Sequence, residues 1–238
     1  GRLLPGLLGE FAETHAGRPL SIVGEPIWAT RTPAEYAAAV QHEALVNLAF
    51  ADQWVTALCP YDRSALDAAV LADAERTHPV LCTLERSWTS PAYADPARLA
   101  REIGPVGEAP ADARSLYFDG RTLAGVREAV ETFGVEHGLA AARAEELRLA
   151  AHEIATNSVT HAGGRGRVRL WCDGGRVVCE IADEGCFVDD LAGRLPAPPD
   201  AISGRGLLLA NFLCDLVEVG RAETGTTVRL HVSREGGA

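Results

Sequence analysis

Methionine is missing from all 238 residues, position 1 included. The chain is therefore expected to be a fragment, or to have lost its start. No apolar run approaches the roughly 20 residues that span a bilayer, and no basic-then-apolar signal peptide opens the chain. A membrane placement is thus not expected. Basic residues are few: 22 Lys and Arg stand against 33 Asp and Glu, a net charge of −11. General nucleic-acid or anionic-membrane surfaces need clustered Lys and Arg, so neither is an expected partner. A basic protein partner remains open.

Metal-type cysteine spacing is missing as well. The six cysteines stand at 59, 82, 172, 179, 186 and 214, with no Cys-x-x-Cys pair and no histidine cluster at zinc spacing. Several fall in expected strands, where a buried thiol behaves as a small hydrophobe. Free thiols imply a reducing compartment, and hence a cytoplasmic protein.

With 47% hydrophobic and 23% charged residues, the chain reads as globular and long enough for one large or two small domains. Leu20-Ser-Ile-Val-Gly24 reads as a buried strand stopped by Glu25-Pro26. Thr32 is a candidate N-cap with Pro33 at the first helical position, and the helix runs from Ala34 to Phe50 with Tyr36, Val40, Leu45 and Leu48 on its apolar stripe. Trp54–Cys59 is a second strand. Ser64 opens a second helix that ends at His78-Pro79. This alternation predicts a partial α/β parallel-sheet domain over residues 1–86. The Pro-rich and Gly-rich turns that follow predict a linker over 87–112.

A second domain is expected over 113–238. Leu116–Phe118 is a strand, and helices run over Leu123–Gly138 and Ala144–Thr160. Val168–Cys172 and Arg176–Ala182 flank Asp173-Gly-Gly175 as a hairpin. A short helix over Leu207–Cys214 and strands at Leu216–Val219 and Thr227–Val232 complete an α+β two-layer sandwich.

Glu153 and Asn157 lie four apart in the second of these helices, one above the other on the same face. Polar residues at that spacing are common on solvated helix faces. Here Leu149, Ala150, Ile154 and Ala155 mark the buried side, with Asn157 near its edge. An amide oxygen suits Mg2+, which keeps several waters and takes few protein ligands. A carboxylate one turn away can accept a proton from an attacking hydroxyl. Three glycine turns follow: Asp183-Glu-Gly185, Gly204-Arg205-Gly206 feeding Leu207, and Gly225-Thr226. Each alone reads as a plain turn. A glycine turn at a helix N-terminus also presents free N–H groups to phosphate, and Arg205 can add a charged contact. Between the first two turns, Val188–Ser203 carries three prolines and no period, which marks a long, functional or unstructured loop.

In this order the elements resemble the N, G1, G2 and G3 boxes of the GHKL (HATPase_c) ATP-binding family, and the chain is similar to its branch of anti-sigma-factor serine/threonine kinases. The resemblance implies a GHKL (Bergerat) fold that binds ATP and Mg2+. Glu153 is then the general base and Asn157 the Mg2+ ligand. Asp183 and Gly185 receive adenine, Gly204, Arg205, Gly206 and Leu207 hold phosphate, and Gly225 and Thr226 support the adenine end. It further implies a regulator that sequesters a sigma factor and phosphorylates an antagonist (anti-anti-sigma) protein, with a homodimer left open. The loop over 188–203 matches the family's ATP lid. Two positions depart from the pattern. Phe187 stands at the second G1 glycine, and Thr160 replaces the lysine many relatives carry three residues after the asparagine. The first departure leaves open a catalytically weak, nucleotide-gated binding module. A sensor histidine kinase output is a further alternative, but no acceptor-helix hairpin is recognisable, and His152 reads as a flanking residue.

Residues 1–86 resemble the later part of the MEDS sensory domain. The matching stretches are Gly17–Leu20, Gly24–Trp28, His42–Phe50 and Leu58–Asp62. His42-Glu43 and Asn47 repeat the Glu-x-x-x-Asn spacing without later glycine turns, and read as an ordinary helix face. Glu25 and Asp62 stand at strand ends, where they line a ligand site or cap turns.

Overall fold

The computed structural model describes residues 8–104, 107–185, 189–195, 205–222 and 224–234. The chain divides into two compact units, Leu8–Ile103 and a second beginning at Gly104.

In the first unit, helix α1 (Gly9–Thr14) precedes strand β1 (Leu20–Val23), helix α2 (Pro33–Ala49) and strand β2 (Val55–Leu58). Leu20 pairs with Val55 and Val23 with Leu58, so β1 and β2 are parallel. Such a pair needs a long crossover, which α2 supplies. Its start is specified locally: Thr32 Oγ1 accepts from the Glu35 amide at 3.4 Å, Glu35 Oε2 accepts from the Thr32 amide at 3.0 Å, and Pro33 fills the first turn. This capping box satisfies two amides that a helix start leaves open.

Helix α3 spans Ala68–Thr77. It does not begin at Ser64 as expected, because Asp62 Oδ1 accepts from both the Ser64 amide and the Ser64 hydroxyl. That local turn competes with the helix, which starts after Asp67. Strands β3 (Val80–Cys82) and β4 (Ser87–Thr89) then form an antiparallel pair, and helix α4 (Pro96–Glu102) follows.

Residues 87–103 are therefore not a linker. Asp95 caps α4 by accepting from the Arg98 amide at 2.7 Å, with Pro96 in the first turn. Gln41 Nε2 donates to the carbonyls of Ala100 and Ile103, which holds α4 on α2. The Asp-Pro pair that reads as a linker is a helix start.

The second unit contains β5 (Arg114–Asp119), α5 (Leu123–Glu136), α6 (Ala141–His161), β6 (Arg165–Asp173), β7 (Arg176–Asp183), α7 (Arg205–Leu213), β8 (Leu216–Ala222) and β9 (Gly225–Ser233). The five strands form one antiparallel sheet in the order β5-β6-β7-β9-β8. Side chains alternate across a strand. Val177, Cys179 and Ile181 of β7 accordingly join Val126 and Val130 of α5, Leu147, Ala151 and Ala155 of α6, and Ala210 of α7 in one core. The second unit is thus the expected two-layer α+β sandwich. On α6 the buried face runs through Ala144, Leu147, Ala150, Ala151, Ile154, Ala155 and Ser158. Leu149, expected on the buried side, is 38% exposed and lies outside this face.

Candidate functional site

Asp183 closes β7, where it pairs across the ladder with Thr226 of β9. Its carboxylate is held from two sides. Ser158 Oγ on α6 donates to Oδ2 at 2.6 Å, and the Gly185 amide donates to Oδ1 at 2.9 Å. A carboxylate has about four lone-pair positions, so this half-buried group keeps acceptor capacity for an incoming donor.

Two glycines beside Asp183, Gly185 and Gly225, fit their neighbours only without a side chain. A Cβ on Gly185 would lie 2.3 Å from the Ala162 methyl at the end of α6. Gly225 has φ +144°, and a Cβ there would lie 1.9 Å from the Asp183 carbonyl oxygen. Thr226 Oγ1 donates to the Gly185 carbonyl at 2.8 Å, so β9 also fixes the turn. The expected G1 and G3 residues are thereby brought together.

Glu153 and Asn157 sit half-buried on α6, and neither side chain makes a hydrogen bond or ion pair with any described residue. Both face the first turn of α7. A Cβ on Gly206 would lie 3.1 Å from Glu153 Oε2 and 3.3 Å from Asn157 Nδ2. Glycine at 206 lets this helix start approach the pair, and its early amides have no intrahelical acceptor. Ser158 follows Asn157 directly, so α6 links this cluster to Asp183.

Arg205 is exposed at the start of α7. The chain contains no lysine, so basic contacts to an anion fall to arginine. Leu207, expected among the residues that hold phosphate, turns its side chain away from solvent. It is buried in the core, where a Cβ on Gly193 would lie 2.5 Å from its Cγ. Only its backbone remains for a ligand. Gly204, Phe187 and the stretch 196–203 lie outside the described residues.

The preceding segment, 189–195, is tied down. Arg221 of β8 pairs with Asp190 and donates to the Asp189 carbonyl at 3.1 Å. Asn211 Nδ2 on α7 donates to the carbonyls of Gly193 and Leu207, both at 3.0 Å. Sequence reasoning missed Ser158, Gly193 and Asn211. An asparagine inside the apolar run Leu207–Leu213 was the available signal, since a buried amide needs partners. His152 is half-buried beside the pair, and burial, with Arg127 nearby, pulls its pKa below the ordinary imidazole value.

Residues 118–232 match the histidine kinase-like ATPase domain, and residues 1–79 match MEDS, the methanogen/methylotroph DcmR sensory domain. The chain thus joins a MEDS domain to a GHKL-like ATPase domain. No curated protein sequence matches it. Among solved structures, it resembles the RsbU and RsbW domains of a Mycobacterium tuberculosis protein at 19% identity and TM-score 0.39, over 58% of this chain and 40% of that one. The Erythrobacter litoralis blue-light activated histidine kinase EL346 is similar at 14% identity and TM-score 0.33, over 85% of this chain and 60% of that one. The Acinetobacter baumannii histidine kinase AdeS is similar at 12% identity and TM-score 0.31, over 84% of this chain and 96% of that one. The chain spans less than two thirds of the first two. Likenesses this low say nothing about activity.

Proposed function

We propose that the protein is a cytoplasmic regulator whose domain over 113–238 binds Mg-ATP and phosphorylates a Ser or Thr of an antagonist protein while sequestering a sigma factor. The observation that carries this reading is the approach of Gly206 to both Glu153 and Asn157, one residue from the Ser158 that holds Asp183. A proton acceptor, a metal-type oxygen, a helix N-terminus and an oriented carboxylate thus share one patch.

The donor set fits the group. Asn157 supplies a hard amide oxygen for Mg2+. The α7 amides and Arg205 offer hydrogen bonds and charge to phosphate, and Gly204 precedes them in the sequence. Asp183 retains acceptor capacity for an adenine amino group, with Gly185, Gly225 and Thr226 shaping the floor around it. Bound Mg2+ neutralises phosphate charge. Glu153, unpaired and one turn from Asn157, accepts the hydroxyl proton of the attacking serine or threonine.

Incubation of the full chain with labelled ATP, Mg2+ and candidate antagonist proteins tests the proposal. Acid-stable label on an antagonist serine or threonine is expected. Acid-labile label on histidine would move the protein to the histidine kinase class. Phe187, at the position of the second glycine, favours a second reading, a nucleotide-gated binder. ATP-dependent partner binding without transfer would establish that reading instead. In either case the MEDS domain is the input side, and no direct contact with nucleic acid or membrane is expected.

A further inference from the structure

Glu43, Cys59 and His78 meet inside the first unit. Their ligand atoms all lie within 4.8 Å of one another, with Glu43 buried and the other two half-buried. They come from three elements: the middle of α2, the residue after β2, and the C-cap of α3. Glu43 was expected on an ordinary helix face, yet it is only 4% exposed.

Its carboxylate is oriented by neutral groups alone. The Tyr61 hydroxyl donates to Oε1, and Thr77 Oγ1 donates to Oε2 at 2.9 Å. No Arg forms an ion pair with it among the described residues. A buried carboxylate without a cation is costly, and such groups are paired or bind metal. His78 is oriented too. Its Nδ1 lies 2.9 Å from the Ala74 carbonyl oxygen. A proton donated there leaves the ring's lone pair on Nε2, the arrangement that second-shell carbonyls impose on metal-binding histidines.

We propose that Glu43, Cys59 and His78 form a binding site for a divalent transition metal of the zinc type. Thiolate, imidazole and carboxylate are the ligand kinds zinc uses, and three protein ligands leave a fourth position for water or a small ligand. Bonds of about 2.0–2.3 Å place tetrahedral ligand atoms about 3.3–3.8 Å apart. Atoms within 4.8 Å of one another therefore need to close by at most about 1–1.5 Å to reach that geometry. Binding releases the thiol proton to solvent and leaves the metal oxidation state unchanged. The metal would tie α2 to the end of β2 and the end of α3.

Cobalt(II) is the probe. The full chain, stripped with a chelator under reducing conditions, is titrated with Co2+ and then with Zn2+. One Co2+ per chain is expected, with thiolate-to-cobalt charge-transfer absorption that Zn2+ abolishes. Cys59→Ser should remove the absorption, His78→Gln should weaken uptake at least tenfold, and Cys82→Ser, at an exposed thiol of the same unit, should change nothing. Far-UV circular dichroism checks that each variant folds. If Cys59→Ser does not fold, His78→Gln and Glu43→Gln decide the matter through the metal-induced rise in Tm, which both should lose. A folded wild-type chain that takes up neither ion overturns the proposal. So does absorption that survives in folded Cys59→Ser, or a Tm rise that survives in folded His78→Gln and Glu43→Gln.

Discussion

The Ser158 hydroxyl donates to Asp183 Oδ2 at 2.6 Å, joining the helix that carries Glu153 and Asn157 to the strand end that carries the adenine-type carboxylate. The two residues are distant in sequence, and only the packing of α6 on β7 brings them together. Removing one donor to a charged group costs about 1.5–3 kcal/mol where the group stays partly buried. Ser158→Ala should therefore leave the fold intact and weaken ATP binding about tenfold to a hundredfold. Calorimetry with ATP and Mg2+ measures it. Wild-type affinity in the variant would mean that Asp183 needs no support from α6.

Asn157 and Glu153 separate by chemistry. Asn157→Ala removes the proposed Mg2+ ligand and should weaken Mg-ATP binding at unchanged Tm. Glu153→Gln keeps the shape and removes the proton acceptor. It should spare nucleotide binding and lower phosphotransfer about 10²–10⁴-fold. Equal transfer by wild type and Glu153→Gln would exclude Glu153 as the base.

Gly225 is set by sterics rather than by ligand chemistry. Its φ of +144° and the 1.9 Å approach of a Cβ to the Asp183 carbonyl leave no room for alanine. Gly225→Ala should destabilise the second unit by more than about 1 kcal/mol and displace the turn that Thr226 holds. Thermal unfolding and ATP affinity should both fall. If affinity drops while Tm does not, the turn moves without cost and the steric argument fails.

Much of this arrangement was legible from local rules. Thr32-Pro33, the Asp173-Gly-Gly175 hairpin and the α6 helix each carry their own signal in cap, turn or periodicity. The same rules misled where two structures share one signal. Asp95-Pro96 reads as a break, yet it caps α4, and only Gln41 from elsewhere in the chain decides between the two. Ser64 reads as a cap, but Asp62 captures it. The boxes placed Glu153, Asn157 and Asp183 in order. Ser158 stayed invisible because its partner is contributed by the sheet. Glu43 stayed invisible because periodicity marks which face is polar, not whether another element covers it.

Asp215 offers a test of the second unit by pH. It accepts from the Ser233 amide at 2.7 Å and from Arg143 Nη2 at 2.7 Å, so it ties the end of α7 to β9 and α6. Burial pulls its carboxyl upward, but the Ser233 amide and Arg143 outweigh this and hold it below the usual aspartate range. A depressed folded pKa contributes stability that is complete above the unfolded value and disappears as pH falls through the folded one. Asp215→Asn should therefore destabilise the unit at neutral pH by about 1–2 kcal/mol, reduced from the buried charged case because the side chain is partly exposed. The difference between variant and wild type should hold down to about pH 4 and shrink below it. Hydrogen exchange of β9 amides reads this unit apart from the first. A difference that stays constant from neutral to acid pH would assign the loss to packing and leave the ionised carboxylate with no role.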